Sequence, residues 1–317
     1  MTGTIATVES RQVVSAGAIF GDSLIERFTK FAGVSENSRI TYTKSLKQMF
    51  KYFSANNITM PTRENLIDWV EDMKAAGKSA STIQLYLASA KVFFRWLAQE
   101  GVYANIADHI KSGLKISHNH KKDALSVEQC RELVKHVSGD DLKSLRDRAV
   151  LALMATAGLR TIEVVRANVG DVRFERGKVF LYVTGKGHAE ADEKVLLSKQ
   201  AYSAIKIYLK ARGRVQSSEP LFTSTSRRNK NCRLQTQCIS RLVKANLRGI
   251  GLDSPRLTAH SLRHAVASNL ISAGVELPKV QMVLRHKSLT TTMIYAHSWE
   301  RYNNDGEQII SNLIFKE

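Results

Sequence analysis

The chain has 317 residues, 43% hydrophobic and 24% charged, enough for two domains with ordinary cores. No stretch approaches the roughly 20 apolar residues that a membrane-spanning helix needs. The net charge of +18 is lopsided, with 12 Lys and Arg against 10 Asp and Glu in residues 1–110 and 35 against 19 in residues 111–317, which implies a polyanionic partner, nucleic acid rather than membrane, and leaves a merely soluble basic protein as the bland alternative.

Residues 1–18 are small and polar without a period and read as a flexible tail. The opening stretch has no basic segment followed by an apolar one, so it does not read as a secretory signal. Three scattered cysteines, Cys130, Cys232 and Cys238, lack metal-ligand spacing. Free thiols in a reducing, cytoplasmic setting are expected.

Residues 19–110 carry four helical patterns. The first begins at about Asp22, with Leu24, Ile25, Phe28 and Phe31 on one stripe. The second covers about 36–55, with Ile40, Leu46, Met49, Phe50 and Phe53. The third opens at Thr62 after Pro61 and turns Leu66, Ile67, Val70 and Met73 inward before Gly77. The fourth opens at Ser81, uses Ile83, Leu87, Ala90, Phe94 and Leu97, and stops at Gly101. These stripes read as the core of a small helical domain.

Residues 111–124 form a basic linker: KSGLKISHNHKK holds Lys111, Lys115, Lys121 and Lys122 and no acidic residue. It is either a solvated connection or a strap along phosphates. The second domain, 125–317, opens with Ser126 and Gln129 as a capping box. A helix over about 142–156 ends near Gly158, and helical character resumes at Arg160. VRFERG, KVFLYVT and EKVLLS then read as short antiparallel strands. Lys186 lies between Gly185 and Gly187 in the last connection. Helical patterns return at about 199–212, 235–248, 260–273, 278–284, 289–297 and 303–314.

Three polar clusters could carry chemistry. In TAHSLRHAVASNLISAG, helical spacing sets Arg263 and His264 one turn from His260. A guanidinium fork and an imidazole on one face make a phosphate cradle, with His264 the helper. Zinc on His260 and His264 is disfavoured because Arg263 lies between them and no HExxH glutamate is present. In ATAGLRTIEVVRANVGDV, Arg160 and Glu163 are either a helix-start ion pair or a second phosphate-facing arginine with an orienting carboxylate. In VLRHKSLTTTMIYAH, His286 sits at a helix end and Tyr295 on the next helix.

With these residues in order, the sequence resembles the tyrosine recombinases, or phage-type integrases. The resemblance rests on Arg160 in AGLRTIEV, Lys186 in TGKG, His260 and Arg263 in HSLRH, His286 in LRH and Tyr295 in TTMIYAH. It covers about 125–300 by motif, and the helical first half resembles the family's core-binding, SAM-like domain in pattern. One departure is Arg285, where the family commonly has glycine before the second histidine. That puts the local loop geometry in question and raises an extra phosphate contact as an option.

The resemblance implies a mainly helical, two-domain DNA clamp that forms a covalent 3′-phosphotyrosyl intermediate and needs neither ATP, metal nor other cofactor. Arg160 and Arg263 would neutralise the phosphate and His286 would donate a hydrogen bond. A phenol with a pKa of about 10 is a poor nucleophile, so nearby cations are expected to lower the pKa of Tyr295. His260 would accept its proton and Lys186 would protonate the leaving 5′-hydroxyl. Glu163 would orient these groups.

The acid-free segment 221–248 offers Arg227, Arg228, Lys230, Arg233, Arg241, Lys244 and Arg248 for phosphate contact. The apolar run 309–315 would pack on its own domain or, as the family suggests, dock on a neighbouring protomer in a tetramer on two DNA sites. The expected partner is double-stranded DNA with specific sites, with accessory proteins open. The task is integration and excision of a mobile element or resolution of DNA multimers. The short tail, leaving little room for an arm-binding domain, favours a simple recombinase. A type IB topoisomerase and a noncatalytic DNA-binding regulator are the alternatives.

Overall fold

The computed structural model describes residues 21–115, 123–185, 191–303 and 305–315. The chain divides into two compact units, Met1–Ser117 and His118–Glu317. Among the described residues there are 13 α-helices and one three-stranded sheet. No described helix is long and apolar enough to cross a membrane.

The first unit is built from α1 (Asp22–Phe31), α2 (Glu36–Ala55), α3 (Arg63–Ala75) and α4 (Ala80–Gln99). Short side-chain caps set the starts of α2, α3 and α4. Ser35, Thr62 and Ser79 each accept a hydrogen bond from a backbone N–H three residues on, relieving donors that no helical carbonyl can reach. Ser79, not Ser81, is therefore the cap of α4.

The core of this unit gathers Phe28, Met49, Leu66, Met73, Phe93, Phe94 and Leu97. Phe28 meets Phe93 edge-on at 5.4 Å between ring centroids. Three expected core residues face outward instead: Phe31 is 57% exposed, and Ile40 and Ile67 are also exposed. A helix buries only a limited arc, and Ile67 lies one residue, or about 100°, round from the Leu66–Val70–Met73 stripe. Trp69, Phe93 and Trp96 fill the interior in their place.

The second unit starts with α5 (Val127–His136), capped by the Ser126–Gln129 box. Helix α6 (Leu142–Ala157) is buried on almost every side and ends at Gly158, which has φ 58°. Such a residue terminates a helix without a Cβ penalty. Helix α7 (Thr161–Arg166) follows, and then strands β1 (Val172–Glu175), β2 (Lys178–Val183) and β3 (Glu193–Leu196).

The strands form an antiparallel meander in the order β1-β2-β3. Arg176 and Gly177, both with positive φ, make the tight turn between β1 and β2, the geometry that suits strand twist. Helices α8 (Lys199–Arg212), α9 (Thr236–Gly249), α10 (Ala259–Ser272), α11 (Leu277–Leu284), α12 (Leu289–Asn303) and α13 (Gly306–Ile314) complete the unit. Helix α12 runs further than the expected 297 because nothing in LTTTMIYAHSWERYN breaks it.

Candidate active site

The site forms where α6 ends, α7 begins, α10 crosses and α11 passes into α12. Gly158 is its pivot. A Cβ there would come within 2.9 Å of Leu284 Cδ2 and would have to push that side chain aside, besides holding a left-handed φ that glycine favours. The buried carbonyl of Gly158 accepts a 2.6 Å hydrogen bond from Nη1 of Arg263, and Nη2 of the same guanidinium donates to the carbonyl of Leu284. A buried residue of α10 is thereby tied to two loops far away in sequence.

Two residues past Gly158, Arg160 caps α7. Its backbone N–H donates to Glu163 Oε2 at 2.8 Å and its guanidinium to Glu163 Oε1 at 2.5 Å. Glu163 has no solvent exposure. Burial pushes its carboxyl upward, but Arg285 and Arg160 outweigh this and hold it below the usual carboxylate range. Burial, helped by Arg160 and Arg285, pulls the Arg263 guanidinium down to about 10, which still leaves it charged at neutral pH.

Tyr295 lies on α12 with 5% exposure, packed among Val266, Ile271, Val280 and Leu284. Its hydroxyl shares a 2.5 Å hydrogen bond with His264 Nδ1. The His286 ring stacks on the phenol at 6.3 Å, nearly parallel, and the His260 and His264 rings meet edge-on at 4.5 Å.

Electrostatics here overturn one expectation. Cations do act on Tyr295, yet burial outweighs Arg263 and Arg160 and pushes the phenol up to about 12. Burial, followed by Arg263 and the other nearby cations, brings His286 down to about 4. Its imidazole is neutral at pH 7 and keeps one N–H to donate, while Nδ1 lies 2.9 Å from the hydroxyl of buried Thr292.

The structure thus brings together Arg160, Glu163, His260, Arg263, His264, His286 and Tyr295. Lys186 lies outside the described residues, as do Lys121 and Lys122. His264 has a larger part than the helper expected from sequence, since it holds the phenol directly.

At Arg285 the backbone answers the question that the sequence raised, and the side chain does something else. It adopts φ 54° and ψ 48° at the end of α11, the left-handed conformation that glycine would favour. Its side chain turns inward at 7% exposure to pair with Glu163 at 2.9 Å. The extra phosphate contact raised for Arg285 is therefore not what this conformation offers.

The basic segment divides. Arg227, Arg228, Lys230 and Arg241 are exposed. Arg233 is occupied instead: it donates to the carbonyls of Val165, Arg166 and Ala167 and to Asn168 Oδ1, satisfying the open C-terminus of α7. Lys244 donates to Ser254 O and pairs with Asp253, which also engages Arg248. In the first unit, exposed Lys111 and Lys115 share a groove with Lys91.

Residues 123–301 match the phage integrase family, and residues 25–101 match the N-terminal SAM-like domain of phage integrases. The chain belongs to the phage integrase family of tyrosine recombinases. Members of this family are site-specific recombinases that cleave and rejoin DNA, and the chain is an enzyme of that kind.

Tyrosine recombinase XerD of Halalkalibacterium halodurans is 28% identical over 277 residues, covering 84% of this chain and 88% of the relative. Tyrosine recombinase XerA of Pyrococcus furiosus is 27% identical over 297 residues, covering 92% and 96%. Among solved structures, the XerH site-specific recombinase bound to palindromic difH substrate, a post-cleavage complex, matches with a TM-score of 0.73 at 22% identity. That match covers 92% of this chain and 85% of the other. A lambda integrase (75–356) dimer bound to a COC′ core site matches with a TM-score of 0.62 at 16% identity, covering 84% and 95%. These two likenesses are of fold.

Proposed function

We propose that the chain recombines DNA at specific sites with Tyr295 as nucleophile, passing through a covalent 3′-phosphotyrosyl intermediate. The observation that carries this reading is the meeting of Arg160 and Arg263 around Gly158, beside a tyrosine packed between His264 and His286.

In this reading the scissile phosphate replaces the carbonyls that now hold Arg263, and two guanidinium forks take its nonbridging oxygens. The neutral imidazole of His286 donates a further hydrogen bond. The phenolic oxygen bonds to phosphorus as the P–O5′ bond breaks. The phenolic proton leaves through His264 and His260, whose rings are in contact, and Lys186 protonates the departing 5′-oxygen. Rejoining is the reverse with a second 5′-hydroxyl, so bond energy is kept in the phosphotyrosine and ATP is not consumed. The two arginines supply the charge neutralisation that a divalent metal would give, so adducts should form in excess chelator.

Exposed Arg227, Arg228, Lys230, Arg241, Lys111 and Lys115 are the proposed backbone contacts, joined by Lys121 and Lys122 of the 111–124 linker. We assign 19–110 to core binding and 125–317 to catalysis, with the units clamping one duplex. Helix α13 exposes Ile309, Ile310, Leu313 and Ile314, with Phe315 exposed just past its end, and buries none of its residues. That supports its docking on a neighbouring protomer in a tetramer over two sites.

The test is to incubate the protein with sheared DNA of its source organism in excess EDTA, denature, recover covalently attached fragments and sequence them. A small set of sites with paired inverted arms is expected, with no adduct from Tyr295→Phe. Sites at the ends of a mobile element would mark integration and excision, and a single chromosomal or plasmid site would mark multimer resolution. Adducts that persist in Tyr295→Phe, or efficient relaxation of any supercoiled DNA, would overturn the reading.

A further inference from the structure

The side chain of Arg285 touches four separate parts of the second unit. Its Nη1 donates to Val283 O at 2.7 Å within the α11 terminus, and Nη2 donates to Glu163 Oε2 at 2.9 Å in α7. Nη2 also reaches the carbonyl of Gly158 at 3.4 Å, on the turn that carries Arg160. The remaining nitrogen, Nε, faces Glu193 Oε2 across 3.7 Å at the first residue of β3. Neither of these two buried atoms has a hydrogen-bond partner. With no hydrogen bond to satisfy either atom, each charge has the other as its nearest compensation, so removing one partner would leave the other uncompensated and release the start of β3.

Backbone conformation points the same way. Arg285 holds a left-handed φ of 54° that a non-glycine residue adopts at a cost. A bulky side chain persists at such a position when its contacts compensate. Here the contacts join the loop that presents His286, the turn that presents Arg160, and the strand that follows the β2–β3 connection bearing Lys186.

We propose that Arg285 is a positioning residue that fixes the start of β3 to the Arg160 and His286 loops by spanning Glu193 and Glu163. It does not touch the phosphate. It sets the spacing between the hairpin and the arginine pair, so that loss of the side chain loosens the hairpin while leaving DNA affinity in place. Only the activity readout rests on the recombinase reading of the site.

Glycine is strain-free at this dihedral, so Arg285→Gly removes the side chain without a backbone penalty. Glu193→Gln, a change of charge at one end of the bridge, serves as a second variant should Arg285→Gly fail to fold. Two readouts use the DNA-free full chain. Amide hydrogen exchange over 193–196 should rise about tenfold in both variants. The His286 titration, followed by NMR, should move upward in Arg285→Gly, because one of the cations opposing its protonation is gone.

The third readout is single-turnover cleavage of a captured site, where the rate should fall by about ten- to a hundredfold with DNA affinity unchanged. Arg285→Lys keeps the charge but not the fork. It should restore the His286 titration and leave the cleavage defect. Unchanged exchange at 193–196 in both variants would overturn the proposal, as would weaker DNA binding with an unchanged cleavage rate, which would mark Arg285 as a phosphate contact. Failure of the wild-type chain to form any adduct would sink the recombinase assignment of Tyr295 and leave the exchange and titration results to decide on Arg285.

Discussion

The hydroxyl of Tyr295 and Nδ1 of His264 share a 2.5 Å hydrogen bond in the interior of the second unit. It joins α12 to α10, while burial keeps the phenol in its neutral form. Removing the hydroxyl leaves the imidazole without that partner.

Tyr295→Phe should therefore abolish covalent adducts and also lower stability, by about 1–3 kcal/mol for a buried polar atom left unsatisfied. Adducts are scored after denaturation, stability by urea unfolding, and DNA affinity by titration at fixed salt. Affinity should hold. A variant that still attached to DNA would place the nucleophile elsewhere.

Two groups give opposite pH signatures. Tyr295 is raised from 10.0 to about 12 in the folded protein, so the folded state holds its proton more tightly than the unfolded one. The stability this contributes is complete below pH 10 and is lost as pH rises through about 12. His286 is lowered from 6.5 to about 4, so its contribution is present above pH 6.5 and is lost as pH falls through about 4. Unfolding midpoints across both windows, compared with Tyr295→Phe and His286→Asn, check each sign. A Tyr295→Phe profile that kept the full alkaline loss would remove Tyr295 as its source.

Glu163 is the common counter-ion of Arg160 and Arg285. Glu163→Gln removes the carboxylate that Arg160 and Arg285 share, leaving Arg285 only the longer carboxylate contact, to Glu193, and should destabilise the second unit by about 3 kcal/mol. Since it touches no proposed phosphate ligand except Arg160, DNA affinity should change less than cleavage. Denaturation and single-turnover cleavage measured together test this; intact stability would show that the arginines find other acceptors.

The basic segment separates into structural and free cations. Arg233→Ala should cost about 1–3 kcal/mol of stability by exposing the last carbonyls of α7 while leaving the salt dependence of DNA binding nearly unchanged. Loss of Arg227, Arg228 or Lys230 should leave stability alone and reduce the slope of log affinity against log salt by about one each. Reversed results would exchange the two roles.

Most helices were legible because their apolar spacing and their caps agreed. Thr62, Ser126 and Gly158 each marked a boundary that the backbone obeys. The chemistry was legible as a list of residue types in order, since arginines, histidines and a tyrosine at those positions have few structural reasons to recur together.

Burial was much less legible. Sequence placed cations near Tyr295 and expected an acidified phenol, whereas the desolvation that reverses the sign comes from Val266, Val280 and Leu284, which only folding brings together. The inward turn of Arg285 was hidden for the same reason, because its partners Glu163 and Glu193 are distant in the chain. Arg233 looked like its exposed neighbours by composition, and only the open end of α7 distinguishes it.

Gly158 carries no reactive group, yet the end of α6, the seat of Arg263 and the approach of Leu284 all pass through it. Alanine at this position would meet both an unfavourable φ and the Leu284 side chain at 2.9 Å, and any shift of the turn in response would move the carbonyl that Arg263 holds. The most fragile point of the catalytic unit is then a residue with no side chain, and a random loss-of-function screen should return changes at Gly158 about as readily as changes at the nucleophile itself.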